Sequence, residues 1–176
     1  YSYSVNTTPG FSIVKYLGNG TAGHTIPHHL GAVPAMYIVK ELDNTQSWYV
    51  YHQYASYSGS AAKDTELYLE TTDRAYSNAK WNDTAPTSSN FCVTNNNSVN
   101  QNDTNYIAYC FAEITGYSKF GYYDGNGDAD GPFVYTGFAP SFVMTKRTDS
   151  TSDWLICDAK RPGSNVVNRK LFPNTN

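Results

Sequence analysis

Residues 34–52 read PAMYIVKELDNTQSWYVYH, and residues 140–158 read PSFVMTKRTDSTSDWLICD. The two stretches align without a gap. Pro34 meets Pro140, Lys40 meets Lys146, Asp43 meets Asp149, Thr45 meets Thr151 and Trp48 meets Trp154. Upstream, Tyr16-Leu17-Gly18-Asn19-Gly20 recurs as Tyr123-Asp124-Gly125-Asn126-Gly127, with a one-residue slip. Several residue types held in register across a polar middle mark an internal duplication. Met36-Tyr37-Ile38-Val39 and Phe142-Val143-Met144 are short apolar runs, each preceded by Pro and followed by a polar turn. Such runs read as strands.

Working outward, each copy predicts the same unit. Phe11 to Tyr16 is a strand, and Gly18-Asn19-Gly20 is a tight turn needing positive φ that closes a hairpin. Pro34 to Lys40 and Ser47 to His52 follow, around the polar turn Asp43 to Gln46. The second copy gives Phe120 to Tyr123, Phe142 to Lys146 and Trp154 to Asp158. It reaches Leu171-Phe172, about where the first copy has Leu67 to Leu69, so the second unit is minimal or the natural chain continues past Asn176. Between the copies, Glu66 to Glu70 and Phe91 to Val93 read as strands, Asn95 to Asn105 as a turn-rich loop. Tyr106 to Ile114 reads as a central strand covered on both faces. A unit with one apolar face cannot stand alone, and two such units facing each other bury both faces. The expected fold is all-β: one antiparallel β-sandwich domain over residues 1–176, jelly-roll-like, with related units at about 11–57 and 118–172 and a strand-containing connecting segment 58–117.

Composition agrees. The chain has 176 residues, enough for one domain with a core. Tyr occurs 16 times and aromatics make up 15%, favouring strands. Charged residues are only 15%, below the roughly 25% of ordinary domains, so neutral polar groups must supply solubility. A net charge of -3 excludes generic nucleic-acid binding. No apolar run approaches the roughly 18 residues of a membrane span, and no signal-peptide core is present. Tyr1 in place of Met reads as a processed product or a fragment. Cys92, Cys110 and Cys157 are an odd count without close spacing, which reads as small core residues of a chain folded in a reducing compartment. The sequons at Asn6, Asn19, Asn82, Asn96 and Asn102 follow from the abundance of Asn and Thr.

The stretch YIAYCFAEITGYSKFGYYDGNGDADGPFVYTGFAPSFVMTKRTDSTSDWLICDAKR, from Tyr106 onward, resembles a domain of uncharacterised function in tail-fibre-like and other structural proteins of marine and cyanobacterial phages. Phe11 to His52 and Trp81 to Ser89 match its other blocks. The resemblance implies a place, the virion exterior after synthesis in the host cytoplasm, and it carries no catalytic motif. It implies other virion proteins as partners and a homo-oligomer, with a trimer as one arrangement.

Candidate chemistry is sparse. Asp124, Asn126, Asp128 and Asp130 place oxygen side chains on alternate residues, as a calcium loop does. Ala129 stands where such a loop turns on Gly, and Tyr135 where it has Glu; an acidic turn is the competing reading. No other cofactor is required by any motif. His24, His28 and His29 cluster in sequence, but adjacent His28 and His29 face opposite sides of a strand, so a polar loop is expected over a zinc site. Glu113 in the central strand is expected to pair with Lys40 or Lys146. No Gly-x-Ser-x-Gly, P-loop, dinucleotide or HExxH motif is present, and the chain is expected not to be an enzyme. Trp48, Trp81 and Trp154 are candidate stacking platforms for a host-surface glycan, with core packing as the alternative. The functional expectation is a phage virion structural protein: a capsid decoration, fibre or tail-appendage domain. A lectin-like module using calcium is the alternative.

Overall fold

The computed structural model describes residues 1–161 and 169–175. Twelve strands appear among them: β1 (Ser2–Asn6), β2 (Phe11–Leu17), β3 (His24–Pro27), β4 (Pro34–Glu41), β5 (Trp48–His52), β6 (Thr65–Tyr68), β7 (Tyr76–Ser77), β8 (Asn90–Val93), β9 (Asn105–Ala112), β10 (Phe142–Lys146), β11 (Trp154–Asp158) and β12 (Lys170–Leu171). One helical turn, α1 (Asn97–Asn100), lies in the Asn-rich stretch expected to be loop. It forms because the Asn96 side chain accepts from the Ser98 N–H and caps the turn.

All strand pairings are antiparallel, and the fold is all-β. Seven strands form one sheet in the order β1-β2-β9-β4-β5-β6-β7. A second sheet holds β10-β11-β12, and β3 pairs with β8. One face of the large sheet is covered over β2, β9, β4 and β5, and the other only over β4, β5 and β6, so Ile107, Tyr109 and Phe111 leave the second face of β9 half-buried rather than covered as the sequence predicts. Alternation sends Tyr37 and Val39 of β4, Tyr49 and Tyr51 of β5, and Tyr106, Ala108 and Cys110 of β9 to one side. There they meet Ile26 of β3, Phe91 and Val93 of β8, Trp81 and Val99. On the other side Val50 and Leu67, with Met36 and Ile38 beside them, pack against Trp154 of β11 and Met144 of β10. The sandwich is lopsided, seven strands against three, rather than an even jelly roll.

The hairpin β4–β5 and the hairpin β10–β11 share one register. Met36 lies opposite His52 and Lys40 opposite Trp48. Their counterparts Phe142 and Asp158, and Lys146 and Trp154, pair identically. The outer contact repeats too: Gln53 donates to the Ala35 carbonyl at 2.8 Å, and Ala159 to the Ser141 carbonyl at 2.9 Å. Val50 pairs with Leu67 as Ile156 pairs with Leu171. The Trp48 N–H is held by Glu70 at 3.0 Å, and the Trp154 N–H by Asn174 at 2.8 Å.

Beyond this three-stranded meander the expected units are corrected. The Gly18-Asn19-Gly20 turn closes no hairpin between β2 and β4. β9, from the connecting segment, sits between those strands, with Ile13 and Ile38 both opposite Tyr109. Phe120 to Tyr123 forms no strand, and residues 121–141 carry no regular structure. β2 owes its place to pairing with β9; among the described residues the second copy has no counterpart of β9 for such a strand to pair with.

Candidate functional site

The first Gly-Asn-Gly loop is built from below by a residue that sequence reasoning missed. Asn100 is fully buried at the end of α1. Its Oδ1 accepts from the Asn19 N–H and from His24 Nδ1, both at 2.9 Å. Its Nδ2 donates to the carbonyls of Thr21 at 2.9 Å and Thr94 at 3.0 Å. Nothing in the local sequence separates this Asn from its many neighbours; only the tertiary contacts do. Asn100→Asp keeps the shape but sets an acceptor against two carbonyls. It is expected to cost about 1–3 kcal/mol, the range for orphaning buried polar groups, read by urea denaturation. Acidification, which restores a donor, recovers part of the loss.

The histidines do not converge. His28 is buried: its Nδ1 accepts from the Leu30 N–H at 3.2 Å and its Nε2 donates to the Thr87 carbonyl at 3.0 Å. Burial holds its pKa below the usual imidazole range. His29 stacks on Tyr3 with ring centroids 3.6 Å apart. The expected polar loop is strand β3 and its continuation, carrying Ile26 and His28 into the core. Cys92 and Cys110 are buried free thiols, and burial pushes Cys110 up to about 12.

Glu113 lies one residue beyond β9 and pairs with Lys119 at 2.7 Å rather than with Lys40 or Lys146. Lys40 donates to the Glu41 carbonyl, and Lys146 to the carbonyls of Thr72, Arg147 and Ser152. Sequence reasoning overlooked two buried carboxylates: Glu41, which accepts from Asn44 Nδ2, and Glu66, which accepts from the Tyr68 hydroxyl and from Asn78 Nδ2. Burial raises the Glu66 pKa above the ordinary carboxyl value. The folded state therefore holds this proton more tightly than the unfolded chain does. Stability is expected to fall as pH rises from the ordinary carboxyl range through the raised folded value. Glu66→Gln is expected to remove that part of the slope, measured by urea denaturation at a series of pH values.

The Trp residues are apart. Trp81 has 0% exposure and donates its indole N–H to the Thr65 carbonyl at 2.9 Å. Trp154 is buried on the other face and donates to the Tyr68 carbonyl at 2.7 Å. Neither offers a free ring face to a sugar; both pack. Trp48 is half-buried and stacks on Tyr109 at 6.3 Å. In the acidic loop, Asn126 accepts from the Asp128 N–H and Asp128 from the Asp130 N–H, each at 3.1 Å. These side chains fold onto their own backbone, Asp124 stands exposed with them, and no group of three acidic, His or Cys side chains converges among the described residues.

Three surface features remain, one of them an apolar groove between Phe11, Phe111, Tyr117 and Phe120. An open cleft is lined by Asn78, Ala79, Thr94, Asn95, Asn96, Asn97 and Ser98. The last is a stretch of chain. Residues 131–145 contain no charged side chain and are mostly exposed, with Phe133 at 88%, Tyr135 at 77% and Phe142 at 58%. Monomeric proteins seldom leave such apolar surface to water.

A family model matches residues 2–176. The chain belongs to the DUF7483 family, described as a domain of unknown function. No curated protein and no solved structure matches this DUF7483 chain. Its site is therefore read from its own residues.

Proposed function

We propose that the chain is a phage virion structural protein, a capsid decoration, fibre or tail-appendage domain on the particle exterior that acts by protein–protein assembly. The observation that carries this reading is the uncharged, aromatic arm at residues 131–145. Interfaces are enriched in aromatics and depleted of Lys, Glu and Asp at their cores, and this arm has that composition. The sequence resemblance to phage structural proteins supports the same reading. Quantitative mass spectrometry of purified particles tests it. Copy numbers on the scale of capsomers assign a decoration protein, and those on the scale of fibres assign an appendage. Absence from the particle overturns the virion role.

Glycan binding is the second reading, and one observation favours it: the amide- and hydroxyl-lined cleft of Asn78 and Thr94 to Ser98. No Trp lines that cleft, so hydrogen bonding without Trp stacking would have to supply recognition. Retention on host-surface polysaccharide, lost in Asn97→Ala, is its expected signature.

A further inference from the structure

The shared register of the two hairpins says what the edge of β10 lacks. In the first hairpin, β4 has β5 on one side and β9 on the other. Across the β9 side, Met36 faces Phe111, Ile38 faces Tyr109 and Lys40 faces Ile107. The second hairpin repeats the first residue for residue, yet among the described residues β10 has β11 alone. The Ser141 carbonyl accepts from the Ala159 N–H. Alternation then turns the N–H and C=O groups of Phe142, Met144 and Lys146 away from β11, to the open edge. These are the counterparts of the three β4 residues that face β9.

Natural edges are guarded by charge, Pro or a bulge. β10 has no Pro and no bulge. Its one Lys does not stand at the edge as a guard, because Lys146 Nζ is held by three carbonyls, of Thr72, Arg147 and Ser152, at 3.2, 3.0 and 2.9 Å. Phe142 and Val143 are exposed on the two faces of the strand. The arm that leads into it adds Phe133, Val134 and Tyr135, also exposed.

We propose that this edge pairs antiparallel with β10 of a second copy across a two-fold axis. The inference rests on the assembly reading and names its partner. A two-fold sets the one charged residue of the strand, Lys146, opposite Phe142 of the second copy rather than opposite itself, so no like charges face each other. It also offers outward backbone groups their complement, another open edge. Centred on Met144, the pairing sets Met144 opposite its own copy and Phe142 opposite Lys146 of the second copy. Three outward residues on each strand are satisfied at once, and the two small sheets become one of six strands. The two-fold gives the expected homo-oligomer as a dimer in place of the trimer named as one arrangement.

Light scattering after size-exclusion chromatography tests the pairing. The wild-type chain is expected at twice its monomer mass. Phe142→Pro removes one outward N–H and leaves the β11 ladder intact, since Pro is tolerated at the first position of an edge strand. It is expected to run as a folded monomer, with its melting temperature checked at high dilution. A second measurement needs no variant: the Met144 amide of the wild type is expected to exchange slowly when concentrated and fast when diluted. A monomeric wild type, a Phe142→Pro dimer or concentration-independent exchange overturns the two-fold. None of these bears on whether the chain is found in particles, so the assembly reading stands or falls on the mass-spectrometric count.

Discussion

Trp81→Ala is expected to be among the most destabilising substitutions in the chain, costing about 3–5 kcal/mol, the range for deleting a buried large aromatic. The ring lies edge-on to Tyr37 at 4.9 Å and to Tyr51 at 6.2 Å. Its N–H reaches the Thr65 carbonyl, so one side chain ties β4, β5 and β6 to the loop ahead of β8. Removal leaves both a cavity among stacked aromatics and an unpaired backbone acceptor. Trp81→Phe restores most of the volume but not the donor, and an intermediate loss is expected. Trp48→Ala is expected to cost less than either, because Trp48 is only half-buried. Urea denaturation of the three variants gives the order. Equal losses at Trp81 and Trp48 would contradict the placement of the core.

Gly18→Ala is the second large effect. A Cβ there would lie 2.1 Å from the Gln101 carbonyl oxygen and 3.0 Å from Tyr106 Cε2. The obstacle is backbone. It is clamped on both sides: Gly18 donates to the Thr104 carbonyl at 2.8 Å, and Asp103 donates to the Gly18 carbonyl at 3.0 Å. A loss near the upper end of the overpacking range, about 3 kcal/mol, is expected. Gly125 opens the matching Gly-Asn-Gly in the second copy, with nothing within 4 Å of its Cβ position. Gly125→Ala is expected to change stability by less than about 0.5 kcal/mol, as a surface substitution does. Thermal melts of both variants separate a packed motif from a free one. A large loss at Gly125 would mean that its loop packs as the first one does.

The contrast between Gly18 and Gly125 shows where sequence was informative. Strand-forming runs were visible as apolar stretches between polar turns, and β4, β5, β10 and β11 lie where the repeat put them. The centrality of β9 was legible in its uninterrupted apolar run. Neighbours within the sheet were not. The Gly-Asn-Gly motif looked like a hairpin turn, but Asn100 and Gln101, far along the chain, hold it elsewhere. Matching motifs have no matching surroundings, because the first copy meets α1 and β9 and the second does not. Glu113 looked like a strand carboxylate, and a boundary two residues earlier gave it to Lys119. For the candidate surface, composition revealed an uncharged aromatic stretch. Its exposure is visible only in the structure.

The assembly role makes one demand that can be met or refused directly. Hydrogen exchange over residues 121–146 can be compared between the free chain at high dilution and the chain in purified particles. Strong protection in the particle, confined to the arm and β10 while the β2–β9–β4 core exchanges alike in both, is the expected result. Equal, rapid exchange of the arm in both states would contradict it as the assembly surface.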